Sequence, residues 1–297
     1  MKNWAVFTTI ILCGMAVIGY SKDLTINDNP LLSSSQRTIY FFDKDWQPVI
    51  APTQDGYYRK ILAVNNMGIT VQDFYQNSNQ KQSDPFTFNR PTDLVEGLPK
   101  SIQGDLTLWY ENGQKNMEAY YKDGQKDGLL TSWHSNGQKE LEQYYINGKE
   151  NGYAVYWNES GKKTLEIYFI EGNFETVSYW EEGKKVAEKH YKKGKREGIS
   201  TYWDKYGNKH AIETYQNDKL HGPHVTYYPN QHKQSEFMYN NNTPTEITLW
   251  HKNNQKAAYL KRNAKNINCS IWDDQGSVIY TGNNNERCTS TIRNMIE

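Results

Sequence analysis

Between residues 104 and 282 apolar and polar positions alternate in short runs, and each run ends at a turn signal. Met117, Ala119 and Tyr121 share one parity against Glu118 and Tyr120. Leu141, Gln143 and Tyr145 stand in the same way against Glu142 and Tyr144, and Leu165, Ile167 and Phe169 against Glu166 and Tyr168. A period of two is that of a strand with one face more apolar than the other. No unit here runs ten to twelve residues without a turn signal, a pattern that predicts strands and argues against helices.

The runs repeat. An aromatic recurs at Trp109, Trp133, Trp157, Trp180, Trp203, Tyr227, Trp250 and Trp272, every 22 to 24 residues. A turn glycine follows most of them, at Gly113, Gly137, Gly161, Gly207 and Gly276, and at Gly183 in a shortened copy. Next comes a lysine, at Lys115, Lys139, Lys163, Lys185, Lys209, Lys233 and Lys256. An aromatic closes the unit at Tyr121, Tyr145, Phe169, Tyr191, Tyr215 and Tyr239, and a second turn follows. Two strands joined by HSNG, in which Asn-Gly supplies positive φ, and turned back at NGK describe a hairpin. One hairpin cannot bury a face alone, but stacked copies can. The predicted fold is therefore all-β: an elongated antiparallel meander of about eight repeated hairpins.

The parity of Ala119 and Leu141 reads as the core side. The Trp column, with Trp109, Trp133, Trp157, Trp180 and Trp203 as its structural aromatics, is assigned to that same side. On the opposite side run two ladders, Glu118, Glu142 and Glu166 beside Tyr120, Tyr144 and Tyr168. The lysine column is expected to pair with carboxylates across strands. Copies six and seven carry Gln231 and Asn254 where the turn glycine stood, and the last copy leads into a polar tail.

Around this array lie three further segments. Residues 1–21 read as a signal peptide, one Lys followed by an apolar run from Trp4 to Tyr20. An uncleaved anchor, or lipidation at Cys13, stands as the alternative, so the protein is expected to be exported to the periplasm or cell envelope, with peripheral or anchored membrane association left open. Residues 22–103 form a β-rich leader that caps the first edge of the sheet, with a polar linker around Pro85, Pro91 and Pro99. Residues 283–297 are a C-terminal tail. Cys269 and Cys288 either pair in an oxidising compartment or stand as two thiols.

Candidate chemistry is sparse. The 34 basic and 34 acidic side chains cancel, which argues against nucleic-acid binding. The histidines are scattered; His134 and His251 look like turn variants, and HGPH at 221–224 offers two imidazoles without a third ligand. No P-loop, nucleophile elbow or zinc signature occurs. No enzyme activity, metal or cofactor is expected.

The unit W-x-x-x-G-x-K, then an aromatic, then G-K-x-x-G, resembles the bacterial variant of the MORN repeat over residues 104 to about 282. Such chains resemble the YwqK-family antitoxin group, and FDKDWQPV and YYRKI resemble the leader that precedes these repeats in some exported proteins of Gram-negative bacteria. The resemblance implies a long β-sheet and a protein-binding role, for some members neutralisation of a cognate toxin. The partner-binding patch is expected at Tyr120, Tyr144 and Tyr168 with Glu118, Glu142 and Glu166. The alternative role is a cell-envelope scaffold that self-associates as a homo-oligomer.

Overall fold

The computed structural model describes residues 38–262 and 266–296. The expected signal segment and Cys13 lie outside the described residues. What is described is one open antiparallel sheet in which, from Tyr57 onward, successive strands pair in chain order, followed by one short helix. Eighteen strand segments run from Ile102 to Gly282; Lys195–Arg196 and Lys219–Leu220 are the outer ends of the strands that follow them, leaving sixteen.

The sheet begins before the repeats. Ile39–Phe42 lies between Pro48–Val49 and Tyr57–Asn65, and Gly68–Tyr75 and Phe86–Phe88 carry the pairing on to Ile102–Trp109. The stretch read as a linker is thus built in: Phe86 and Phe88 are buried, and Pro91–Val95 forms a 3-10 turn that buries Asp93 and Leu94. Two phenylalanines spaced by one residue, enough to bury a three-residue strand, outweigh the polar residues around them. The centre of this cap is Arg59, wholly buried. It pairs with Asp73 at 2.7 and 2.8 Å and donates to the carbonyls of Glu96 and Gly97 at 2.9 and 3.0 Å.

Two turn types alternate along the repeats. At the inner turns both central residues have positive φ, as in Asn147 (48°) and Gly148 (77°) or Lys193 (50°) and Gly194 (75°), the two-residue turn that matches strand twist. The HSNG turns differ from expectation. Only Gly137 has positive φ (84°), the Gly137 amide bonds to the His134 carbonyl and the His134 amide to the Gln138 carbonyl. This is a three-residue loop closed by a left-handed glycine. Gln231 (66°) and Asn254 (70°) hold the same conformation without glycine, so the later copies keep the turn that their sequences seemed to lose.

A bulge at each of these turns settles the faces. Leu108 pairs with Met117, but Trp109 pairs with Lys115, so one extra residue sits on the second strand. Without it Trp109 would share a face with Met117; with it, the parity reverses. The Trp column therefore lies with the Glu and Tyr ladders, not with Ala119 and Leu141, as a correction to the sequence reading. We call the two sides the ring face and the carboxylate face. On the ring face the closing aromatics sit directly across from glycines, Tyr121 from Gly104, Tyr145 from Gly128 and Phe169 from Gly152. Leu106, Ala119, Leu130 and Ala154 are buried beside them.

The polar tail folds into helix α1, Asn285–Ile296. The Asn284 side chain accepts from the Arg287 amide at 2.9 Å and caps it. Cys288 and Ile292 pack on the ring face against Leu249, Ala258, Leu260 and Ile271. Cys269 and Cys288 form a disulfide with Cα atoms 5.9 Å apart.

Candidate functional site on the carboxylate face

Cross-strand pairing places one row of residues side by side: Thr107, Glu118, Thr131, Glu142, Val155, Glu166, Ser178, Glu188 and Thr201. Every other strand supplies a carboxylate between hydroxyl or aliphatic neighbours. The ladder continues through Glu188 to Glu236 and skips unit five, where Ile212 holds the place. Each of these carboxylates meets the lysine three residues before it on its own strand, across the bulge. Lys115–Glu118 spans 2.7 Å, Lys163–Glu166 2.8 Å and Lys185–Glu188 2.6 Å, with Lys139–Glu142 alike. The expected cross-strand pairing is thus replaced by pairing within a strand, because the bulge turns both side chains to one face. The same lysines lie over the next indole: Lys115 is 5.0 Å from the Trp133 ring and Lys163 4.5 Å from that of Trp180. The Trp rings are half-buried under this lattice. Hydrogen bonding from Lys185, with its charge, holds the Glu188 carboxyl below the usual carboxylate range.

Beside the carboxylates runs the second row. Tyr120 and Tyr144 are 46% and 47% exposed, and Leu129 and Tyr153, which lie between the expected tyrosines, are 52% and 60% exposed. Leu129 pairs with Tyr144, and Tyr153 with Tyr168, whose rings are 4.8 Å apart. Glu118, Glu142 and Glu166 flank them. The structure thus brings the six expected residues onto one face and adds Leu129, Tyr153 and Glu188, which the sequence reading missed. The signal for Leu129 and Tyr153 was present, as the residue after each opening glycine, but depended on knowing the bulge. The hydroxyls of Tyr120, Tyr144, Tyr153 and Tyr168 make no hydrogen bond among the described residues. Other phenols do: Tyr110 donates to the Trp133 carbonyl and Tyr228 to that of Trp250, both at 2.8 Å. A shallow cleft of about 250 Å³ opens where Tyr153, Tyr168, Glu166, Glu188 and His190 meet.

The frame under this row is stitched from unit to unit. Asn112 donates to the Ser135 carbonyl, Asn136 to that of Glu159 and Asn253 to that of Asp274, at 2.7 to 2.8 Å. His134 and His251 donate to the carbonyls of Trp157 and Trp272, so both histidines are turn fasteners. His224 lies on the ring face against Phe237 and Tyr239. Among the described residues no three His, Cys, Asp or Glu side chains converge as metal ligands, and no helix is long and apolar enough to cross a membrane.

A second polar cluster lies on the ring face, where unit five moves its carboxylate. Glu213 accepts from Tyr202 and Tyr215 at 2.7 and 2.8 Å. Burial, then these hydrogen bonds, pushes Tyr215 up to about 12 and Tyr202 higher still. Burial, then the nearby Arg196, lowers the Lys189 ammonium from its ordinary value. The change from ELEQYY to HAIETY, which shifts Glu by one position, was the sequence signal for it.

Compared with known proteins, the chain matches no family model and no curated protein.

Proposed function

We propose that the protein is a non-enzymatic, exported, protein-binding repeat protein that neutralises a protein toxin in the manner of an antitoxin. The observation that carries the binding part is the row Tyr120, Leu129, Tyr144 and Tyr153, exposed side by side on a sheet whose other described tyrosines, Tyr206 apart, are buried or half-buried. Aromatic rings on a rigid frame give contact area at little entropic cost, and flanking charges orient the encounter. A stitched sheet holds them in place before the partner arrives, which lowers the cost of binding. The toxin as partner rests on the resemblance of the repeat unit to the YwqK-family antitoxins.

The test is replacement of Tyr120, Tyr144 and Tyr168 together by Ser, with capture of partners from the native cells. The expected result is one stoichiometric partner, toxic when expressed alone and harmless with the wild-type chain, that the variant no longer holds although its circular dichroism is unchanged. Equal capture by the variant would remove this row from the binding surface. A partner without toxicity would leave binding and end the antitoxin reading.

A further inference from the structure

The ring-face row that carries Ala119 changes character once. From Ala154 through Ile167 to Val177 it is aliphatic, and from Phe237 through Ile247 to Leu260 it is apolar again. Between these stretches stand Lys189, Ser200, Glu213 and His224. Lys189 pairs with Val177, and Ser200 with Glu213. The registers of Ala187 with Tyr202 and of Ile212 with Val225 bring Lys189 beside Ser200 and Glu213 beside His224, at ~4.8 Å from strand to strand. The frame does not require charge here, since Ala119, Ile167 and Leu260 hold the place of Lys189 in other units. Phenols wall the cluster. The Lys189 ammonium lies 4.7 and 6.0 Å from the rings of Tyr179 and Tyr202, and the Arg196 guanidinium 4.0 Å from that of Tyr215. Among the described residues neither cation is in an ion pair. Glu213 commits one oxygen, Oε2, to the Tyr202 and Tyr215 hydroxyls. The turn carboxylates Glu197 and Asp218 accept from the amides of Asn217 and Arg196 at 2.9 and 2.7 Å. The floor is Ser200, 1% exposed, whose hydroxyl has no hydrogen-bond partner among the described residues.

We infer that this cluster is a binding site for a single carboxylate group, held between Lys189, Arg196 and Ser200. Three features point to that chemistry. Two neighbouring half-buried cations lack a counter-ion; burial, then Arg196, already holds the Lys189 ammonium below its ordinary value, and an anion between them offsets the repulsion. The planar guanidinium presents paired donors that match a carboxylate. The buried Ser200 hydroxyl is a donor without an acceptor, a cost that ends when a ligand oxygen is seated on it. Lys189 stands beside it on a flexible stem and gives way as the ligand enters. Glu213 sets the charge of the ligand. Two cations and one carboxylate leave one positive charge, so a monoanion neutralises the site, whereas a phosphate dianion overshoots it and faces Glu213. The ring face is open here, because α1 packs further along, against Leu249, Ala258, Leu260 and Ile271. The site lies on the face opposite Tyr120 and Tyr144, and the inference does not rest on the toxin reading. A free small carboxylate and an acidic side chain of a protein share this chemistry.

The experiment follows the Lys189 ε-methylene signal by NMR in the lysine-labelled full chain, identified by its loss in Lys189→Arg. Sodium acetate, inorganic phosphate and a short oligoglutamate peptide are the probes, each at constant ionic strength so that screening does not change. Acetate should shift the signal saturably and raise the titration midpoint of Lys189, and phosphate should bind more weakly. Arg196→Gln and Ser200→Ala, both with unchanged circular dichroism, should each weaken acetate at least about ten-fold. The Ser200 variant separates a ligand contact from a structural flaw: a hydroxyl that is only a buried cost would leave acetate binding as it was. Oligoglutamate at least about ten-fold tighter than acetate would identify an acidic protein segment as the source, and equal affinity a free small carboxylate. No saturable response to acetate or oligoglutamate, tighter binding of phosphate than of acetate, or variants that bind as the wild type does would overturn the inference. The capture experiment with the Tyr variant fails or succeeds separately, since it reads the opposite face.

Discussion

At one end of the sheet the buried guanidinium of Arg59 gathers Asp73 and the carbonyls of a 3-10 turn; at the other, a disulfide pins a two-sided helix onto aliphatic strands. Both ends meet the same need. A sheet built from half-exposed repeats has no core to finish against, and its last strands would offer bare edges to other chains. The N-terminal solution is polar and geometric: the donors of one side chain satisfy the Asp73 carboxylate and the carbonyls of residues 93–97, two segments apart in sequence. The C-terminal solution is apolar and covalent. Between them the repeats rely on neither and hold to their neighbours by turn stitches and the Lys–Trp–Glu lattice. The difference shows that a repeat frame leaves the manner of its closure free, so each end can be lost without the other.

The largest expected effect comes from Arg59→Ala, which leaves Asp73 buried and unpaired and should cost about 3–5 kcal/mol. Hydrogen exchange should then show residues 39–103 opening while residues 184–262 stay protected; opening of both together would mean that the ends are coupled. Next is Cys288→Ser. The disulfide closes a loop with a sequence separation of 19, so its loss should cost about 3 kcal/mol in urea denaturation and release α1 while the leader remains intact. The middle is probed by Trp133→Ala. Its ring is half-buried rather than enclosed, so the expected loss is about 2 kcal/mol, short of the ~3–5 kcal/mol of a fully buried ring; a larger loss would mean that the carboxylate face is the better packed of the two. Smallest is Lys193→Asn, which places a residue tolerant of positive φ in the Lys193–Gly194 turn. It should raise stability by about 0.5–1 kcal/mol, seen as a higher melting temperature with both ends unchanged.

The repeat period was legible because turns are written in glycine and asparagine, whose backbone freedom no other residues match. The hairpin parity was not. A one-residue bulge carries no residue of its own kind: Lys115 and Asn116 read as ordinary strand, yet they reverse the side of every Trp. Arg59 was illegible for the opposite reason, since arginine is among the residues least often buried, and the two segments that satisfy it, Asp73 and residues 93–97, are distant from it in sequence. Helix α1 was hidden by its polarity. It buries only Cys288 and Ile292, one turn apart, too few to register as a periodic face. For the candidate site, the Glu and Tyr ladders were readable from alternation, while Leu129 and Tyr153 needed the true register.

Because every strand of the repeat array pairs with its predecessor, each hairpin has its docking surface ready when it leaves the ribosome. The chain never waits for a distant segment. The cap around Arg59 is complete once residue 97 has emerged, and each later unit adds to a finished edge. The two cysteines of the disulfide lie in the last strands and helix, so the latch cannot close until the whole array stands. Assembly therefore has a direction, and a chain truncated anywhere within the repeats ends as a growing edge rather than as an unfolded remnant.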